Sequence, residues 1–106
     1  MTDDDRRVII QEMRNFDKVI IVHGTDTMDV TAMYLAKNVV DKTIILTGAM
    51  KPFSIEPVEA TSNLSISLNF LINCHISDIF IGMHGLVEKY TNLKKNKQIG
   101  KFELFA

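Results

Sequence analysis

The stretch Lys18-Val19-Ile20-Ile21-Val22-His23-Gly24-Thr25-Asp26-Thr27 decides the fold. From Val19 to Val22 it is wholly apolar and β-branched, with no polar alternation, and it stops at His23-Gly24. A strand with one wet face alternates apolar with polar, so this run predicts a strand covered on both faces, as in a parallel sheet. Past the polar turn, Met28, Ala32, Leu35, Ala36 and Val39 recur at three- and four-residue spacing, which places them on one stripe of a helix. Thr43-Ile44-Ile45-Leu46-Thr47 then repeats the buried-strand pattern, and Asp78-Ile79-Phe80-Ile81-Gly82 supplies a third strand. Between these two, Leu64, Ile66, Leu68 and Phe70 alternate like a strand while Ala60, Leu64, Leu68 and Leu71 step like a helix. The length from about Val58 to Asn73 exceeds a usual strand and selects the helix. Upstream, Thr2 is placed to cap a helix running to about Asn15, with Asp3, Asp4 and Asp5 complementing its dipole and Val8, Ile9, Glu12 and Met13 near one face. Strand and helix thus alternate, and right-handed crossovers between parallel strands predict an α/β three-layer sandwich with a mostly parallel, Rossmann-like sheet.

The composition agrees with one globular domain and excludes several partners. The chain has 106 residues, 46% hydrophobic and 24% charged, too apolar for a disordered chain. Twelve basic against thirteen acidic residues leave a net charge of -1, so the positive field that nucleic acid or an anionic membrane would reward is missing. Apolar runs such as Val19 to Val22 fall far short of the roughly 20 residues that cross a bilayer. The single cysteine, Cys74, has no internal partner, and the acidic start lacks the features of a signal peptide, so a cytoplasmic setting is expected.

In an open parallel sheet the segments leaving the strand ends converge on one edge, where ligands of such folds bind. Here these are His23-Gly24-Thr25-Asp26-Thr27, Gly48-Ala49-Met50-Lys51-Pro52, and Met83-His84-Gly85 with the polar stretch after it. Gly24 and Gly48 let backbone approach a ligand closely, and helix N-termini at that edge favour an anionic group such as an amino-acid carboxylate. Thr25-Asp26-Thr27 supplies two hydroxyls and a carboxylate just before a helix, which suits catalysis and equally describes an ordinary helix cap. A threonine hydroxyl becomes a useful nucleophile only beside a base. Lysines 89, 94, 95, 97 and 101 offer one, although such a cluster also describes a solvated face. His23, His75 and His84 show no metal-ligand spacing, so no metal is assigned. Met28, Met33 and Met50 read as core filling, and no Gly-x-x-x-x-Gly-Lys phosphate loop or other cofactor motif is present.

The run Val19 to Met28, then Thr31-Ala32, then Thr47-Gly48-Ala49-Met50-Lys51-Pro52, resembles the N-terminal domain of the bacterial-type L-asparaginase/glutaminase family. The similarity extends through Glu59-Ala60 and Asn63-Leu64 to Lys94-Lys95-Asn96 and Gly100-Lys101-Phe102-Glu103, so it covers nearly the whole chain, and the short single-domain members are especially similar. It implies hydrolysis of the side-chain amide of L-asparagine to L-aspartate and ammonia, without a cofactor. It also implies a hydrogen-bonded triad of Thr25, Asp26 and Lys95 beside the substrate amide. Thr25 would lie next to the scissile carbon, Lys95 would tune its hydroxyl, and Asp26 would hold Lys95 and bind the substrate α-amino group. Lys94 is the alternative to Lys95 one residue away. Gly24, Gly48 and Ala49 are implied as substrate-binding positions. The family's opening strand, ending in Thr-Gly-Gly-Thr-Ile with the primary nucleophile, and the tyrosine loop after it do not occur in these 106 residues. Residues 1–106 therefore resemble an asparaginase N-terminal domain that is incomplete at its start. The missing strand would pair beside Lys18 to Val22, so the expectation is a homo-oligomer through that edge or a complementing N-terminal segment. The alternative function is an inactive remnant or amino-acid-binding module that needs such a segment.

Overall fold

The computed structural model describes residues 1–50, 57–96, 98 and 101–104. Lys51, Pro52, Lys97 and Gly100, named above, lie outside the described residues. The elements run α1 (Asp3–Glu12), β1 (Lys18–Val22), α2 (Met28–Asn38), β2 (Thr43–Thr47), α3 (Pro57–Asn73), β3 (Ile79–Met83), β4 (Leu86–Lys89), β5 (Leu93–Asn96) and β6 (Lys101–Leu104). Thr2 caps α1 reciprocally: the Asp5 N–H donates to its hydroxyl at 3.2 Å, and its own N–H donates to the Asp5 carboxylate at 2.9 Å. The helix stops at Glu12, short of Asn15, and buries Arg6 with Ile9 and Ile10 partly covered; its C-cap Met13 is also buried, while Val8 and Glu12 stand in solvent. Its inward stripe therefore includes a charged residue that a search for apolar periodicity passes over.

The strands β1, β2 and β3 are parallel neighbours in that order, and β4 adds antiparallel to β3. His84 and Gly85 join β3 to β4 with φ of 54° and 77°, two successive left-handed residues whose twist matches a two-residue hairpin. β5 and β6 form a separate antiparallel pair in which Lys95 faces Phe102. The sequence pattern predicts three strands; β4, β5 and β6 are four-residue strands of mixed polarity, too short to carry a period. Both β2 and β3 are buried throughout, as expected. β1 is not: it lies at the sheet edge, its central residues are half-covered, and Val22 is 71% exposed.

The side chains of β2 and β3 divide between two faces. Ile44, Leu46, Ile79, Ile81 and Met83 meet Met13 of α1, Met28, Ala32 and Leu35 of α2, and Leu93 and Phe102 of the hairpin. On the other face Ile45 and Phe80 meet Leu71 of α3 and Cys74. Three layers result. Of the methionines expected in the core, Met28 is fully buried, but Met33 is exposed.

This division corrects one expectation. The connections β1–α2–β2 and β2–α3–β3 step the same way across the sheet, yet α2 and α3 pack on opposite faces. Two parallel crossovers of the same hand and direction would leave both helices on one face, so one of these is left-handed, against a preference of roughly 98%. The consequence is local: the chains leaving β1 and β2 part toward opposite faces, a switch point of the kind at which open α/β sheets bind ligands.

The inward face of α3 is Asn63, Ser67 and Leu71, whereas Leu64 and Leu68, expected on its packed stripe, are exposed. Gly82 explains the reversal. A Cβ there would lie 2.0 Å from Ser67 Oγ, so α3 approaches β3 more closely than leucines would allow. The Ser67 hydroxyl is buried and has no hydrogen-bond partner among the described residues.

Gly82→Ala is expected to cost about 1–3 kcal/mol in denaturant unfolding through overpacking, with Ser67→Gly in the same chain recovering part of the loss. Ser67→Ala alone should be neutral or stabilising, because it removes an unpaired buried hydroxyl. The bonds from Thr2 hold the Asp5 carboxyl below its ordinary 3.8. A carboxylate depressed by folding stabilises above its unfolded pKa and loses that contribution as pH falls through the folded one. Thermal melts below about pH 4 should therefore show a loss that Asp5→Asn lacks.

Candidate active site

The first segment of the site leaves β1 with its backbone pinned. The His23 N–H donates to the Thr47 carbonyl at 2.8 Å, continuing the β1–β2 ladder to the site. Gly48 then packs against the same residue: a Cβ at 48 would lie 2.2 Å from the His23 carbonyl oxygen, so only glycine lets the two strand ends come together. Among the described residues nothing lies within 4 Å of a Cβ placed on Gly24. Thr25 is buried just beyond it, Asp26 is exposed, and α2 begins at Met28. The cap position is Thr27, whose side chain makes no capping hydrogen bond. Thr25 meets a different partner.

That partner arrives on β5. Leu93 is fully buried in the core, and in a strand residues two apart share a face, so Lys95 is directed the same way. Phe102, opposite Lys95 on β6, is buried in the same cluster and anchors the hairpin. Lys95 Nζ donates to Thr25 Oγ1 at 2.9 Å and to Asp26 Oδ1 at 2.5 Å. The lysine side chain is only 15% exposed while the aspartate is 76% exposed, so the amine is enclosed and its counter-charge faces solvent. The Lys94 side chain lies outside the described residues.

The second and third segments are tied by one side chain to which the sequence motifs assign no task. Asn63 on α3 donates from Nδ2 to the Gly48 carbonyl at 2.8 Å and accepts the His84 N–H on Oδ1 at 3.0 Å. Glu59, one turn earlier, accepts the Met50 N–H on Oε1 at 2.9 Å, and its other oxygen lies 4.0 Å from His84 Nδ1. Ala49, between these anchored neighbours, is half-buried. The signal for Asn63 is a polar residue on the inward side of a helix whose leucines point out. Among the described residues no cluster of three His, Cys, Asp or Glu side chains could hold a metal ion.

The site groups an enclosed amine, a buried hydroxyl and an exposed carboxylate at the ends of parallel strands, an arrangement suited to proton movement at a small polar substrate. Comparison with known proteins agrees with the fold. The family described as asparaginase, N-terminal, matches residues 5–102, and the chain belongs to that family. It is 34% identical over 96 residues to a subunit of the glutamyl-tRNA(Gln) amidotransferase of Methanosphaera stadtmanae, covering 88% of this chain and 22% of that protein. It is 36% identical over 59 residues to a probable periplasmic L-asparaginase of Haemophilus influenzae, covering 55% of this chain and 17% of the other. A glutaminase-asparaginase of Pseudomonas fluorescens biotype A is 38% identical over 63 residues, 56% of this chain and 17% of that one. The solved structure of a probable cytoplasmic L-asparaginase from Campylobacter jejuni superimposes with a TM-score of 0.75 at 23% identity, over 93% of this chain and 32% of that chain. The chain thus spans about a fifth of the length of the curated relatives it matches.

Gly48→Ala is expected to drive the β2 end away from the His23 carbonyl. It should cost about 1–3 kcal/mol of stability and shift the Thr25 amide resonance in a 15N–1H correlation spectrum. Gly24→Ala, which meets open space, should leave the stability unchanged.

Proposed function

We propose that the chain carries the Thr25–Lys95–Asp26 part of an asparaginase-type site, which hydrolyses the side-chain amide of L-asparagine to L-aspartate and ammonia. The observation that carries this reading is the placement of Lys95 Nζ within hydrogen-bond distance of both Thr25 Oγ1 and Asp26 Oδ1. In the proposed reaction Lys95, when deprotonated, takes a proton from the Thr25 hydroxyl or from a water beside it, and the oxygen so activated attacks the amide carbon. The amide nitrogen takes up the proton and leaves as ammonia; where the attacking oxygen is that of Thr25, a water then hydrolyses the ester so formed, releasing L-aspartate and restoring the hydroxyl. Asp26 keeps Lys95 aimed and, being exposed, meets the α-amino group of the substrate. Gly24, Gly48 and Ala49 line the substrate position with backbone. The relatives' names speak for amides of this kind, two of them for asparagine. The lone buried cysteine favours a cytoplasmic setting for this work.

A second proposal concerns partners. Among the described residues β1 has β2 as its only sheet neighbour, and a mainly apolar groove between α1 and β1 is lined by Ile9, Met13, Phe16 and Val19 to Ile21 together with the charged Glu12 and Lys18. An apolar strand with one open edge recruits another strand. The chain is therefore proposed to self-associate there or to accept a complementing segment.

Incubation with L-asparagine should release ammonia, and Thr25→Val or Lys95→Met should lower the rate by about 10²-fold or more, the usual worth of a positioned proton-transfer group. Binding of L-aspartate with no ammonia release from L-asparagine would instead select an amino-acid-binding module, and binding of neither would overturn the reading. Light scattering should show association that Ile20→Lys at the open edge reduces; a monodisperse wild-type monomer would contradict the partner proposal.

A further inference from the structure

Three buried polar residues outside the amide site converge behind it. Arg6 on α1 is 5% exposed, yet its guanidinium crosses to α2, where Nε donates to Thr31 Oγ1 at 2.8 Å while Nη1 pairs with Asp3 at 2.8 Å. Thr31 is fully buried, and its oxygen lies 2.8 Å from His23 Nε2. His23 is itself buried, and its Nδ1 lies 2.6 Å from the Gly24 carbonyl oxygen. The bonds at the two ends have fixed directions. A carbonyl only accepts, so Nδ1 carries a proton; a guanidinium only donates, so the Thr31 oxygen accepts from Arg6. A bare Nε2 at 2.8 Å is a stronger acceptor for the Thr31 hydroxyl proton than the weak Met1 sulfur at 3.7 Å.

The Gly24 carbonyl belongs to the same peptide plane as the Thr25 N–H, so the ring that holds the carbonyl holds that plane. We infer that Arg6 and Thr31 are positioning residues: they fix His23 as its Nδ1–H tautomer and through it set the Gly24–Thr25 peptide, from which the Thr25 hydroxyl reaches Lys95. This deepens the reading of Thr25 as a site residue and rests on it. The relay links the first helix of the chain to the reacting hydroxyl through hydrogen bonds that each have one direction. Removing the Thr31 oxygen leaves the Arg6 Nε–H buried without its acceptor and leaves the imidazole free to take either tautomer.

The test is imidazole 15N spectroscopy on the full chain, with the Thr25 amide resonance read in parallel. Wild type is expected to show His23 protonated at Nδ1 with Nε2 bare; a proton at Nε2, alone or together with one at Nδ1, overturns the relay and needs no variant to be seen. Thr31→Ser should keep both signals, whereas Thr31→Val should mix the tautomers and move the Thr25 resonance. Thr31→Val should also weaken L-aspartate binding about tenfold, the scale of one buried hydrogen bond, with Thr31→Ser within about twofold of wild type. An unmoved Thr25 resonance in a folded Thr31→Val chain overturns the positioning role. Should wild type bind no aspartate, the amide reading fails, while the tautomer and the Thr25 resonance still judge the relay.

Discussion

The chains that leave β1 and β2 turn to opposite faces of the sheet, and Thr25, Asp26 and Lys95 meet beside the point where they part. Holding that parting together takes several fixed contacts. Gly48 lets the two strand ends touch at the His23 carbonyl, and Asn63 binds the second strand end to the β3–β4 turn. The hairpin then closes the arrangement from the side, since burial of Leu93 and Phe102 leaves Lys95 aimed at Thr25. The amine is positioned by hydrophobic packing two residues away, so the stability of the hairpin and the geometry of the site are one property.

The same dependence explains why polar residues lie where leucines were expected. A helix bearing large apolar side chains toward β3 would stand too far off for Asn63 to bridge Gly48 and His84. Small Gly82 and Ser67 bring α3 close, and the displaced Leu64 and Leu68 face outward. An unpaired buried hydroxyl at Ser67 accompanies this close approach. Likewise Arg6 occupies a position in α1 that an aliphatic residue would fill more simply; the guanidinium serves as a donor to Thr31.

Where sequence and structure agree, a repeating physical pattern stands behind the agreement. The apolar runs of β2 and β3 and the periodicity of α2 each reflect burial on both faces or on one stripe, and they are legible. Thr25, Asp26 and Lys95 are legible only through the family motifs, because spacing alone leaves Thr25 and Asp26 as cap residues and Lys95 as one of five lysines. Nothing local in the sequence marks the hand of a crossover, which is set by how two helices compete for the faces of a sheet. Nor does anything mark β4 to β6, four-residue strands held by their partners, or the exposure of β1, a matter of which strands stand beside it.

The most direct measurement is a crystal structure of the chain grown with L-aspartate. It is predicted to show Lys95 Nζ bonded to both Thr25 Oγ1 and Asp26 Oδ1, with the ligand's side-chain carboxylate against Thr25 and its amino group at Asp26. A Lys95 side chain turned into solvent, with Thr25 hydrogen-bonded elsewhere, would contradict it.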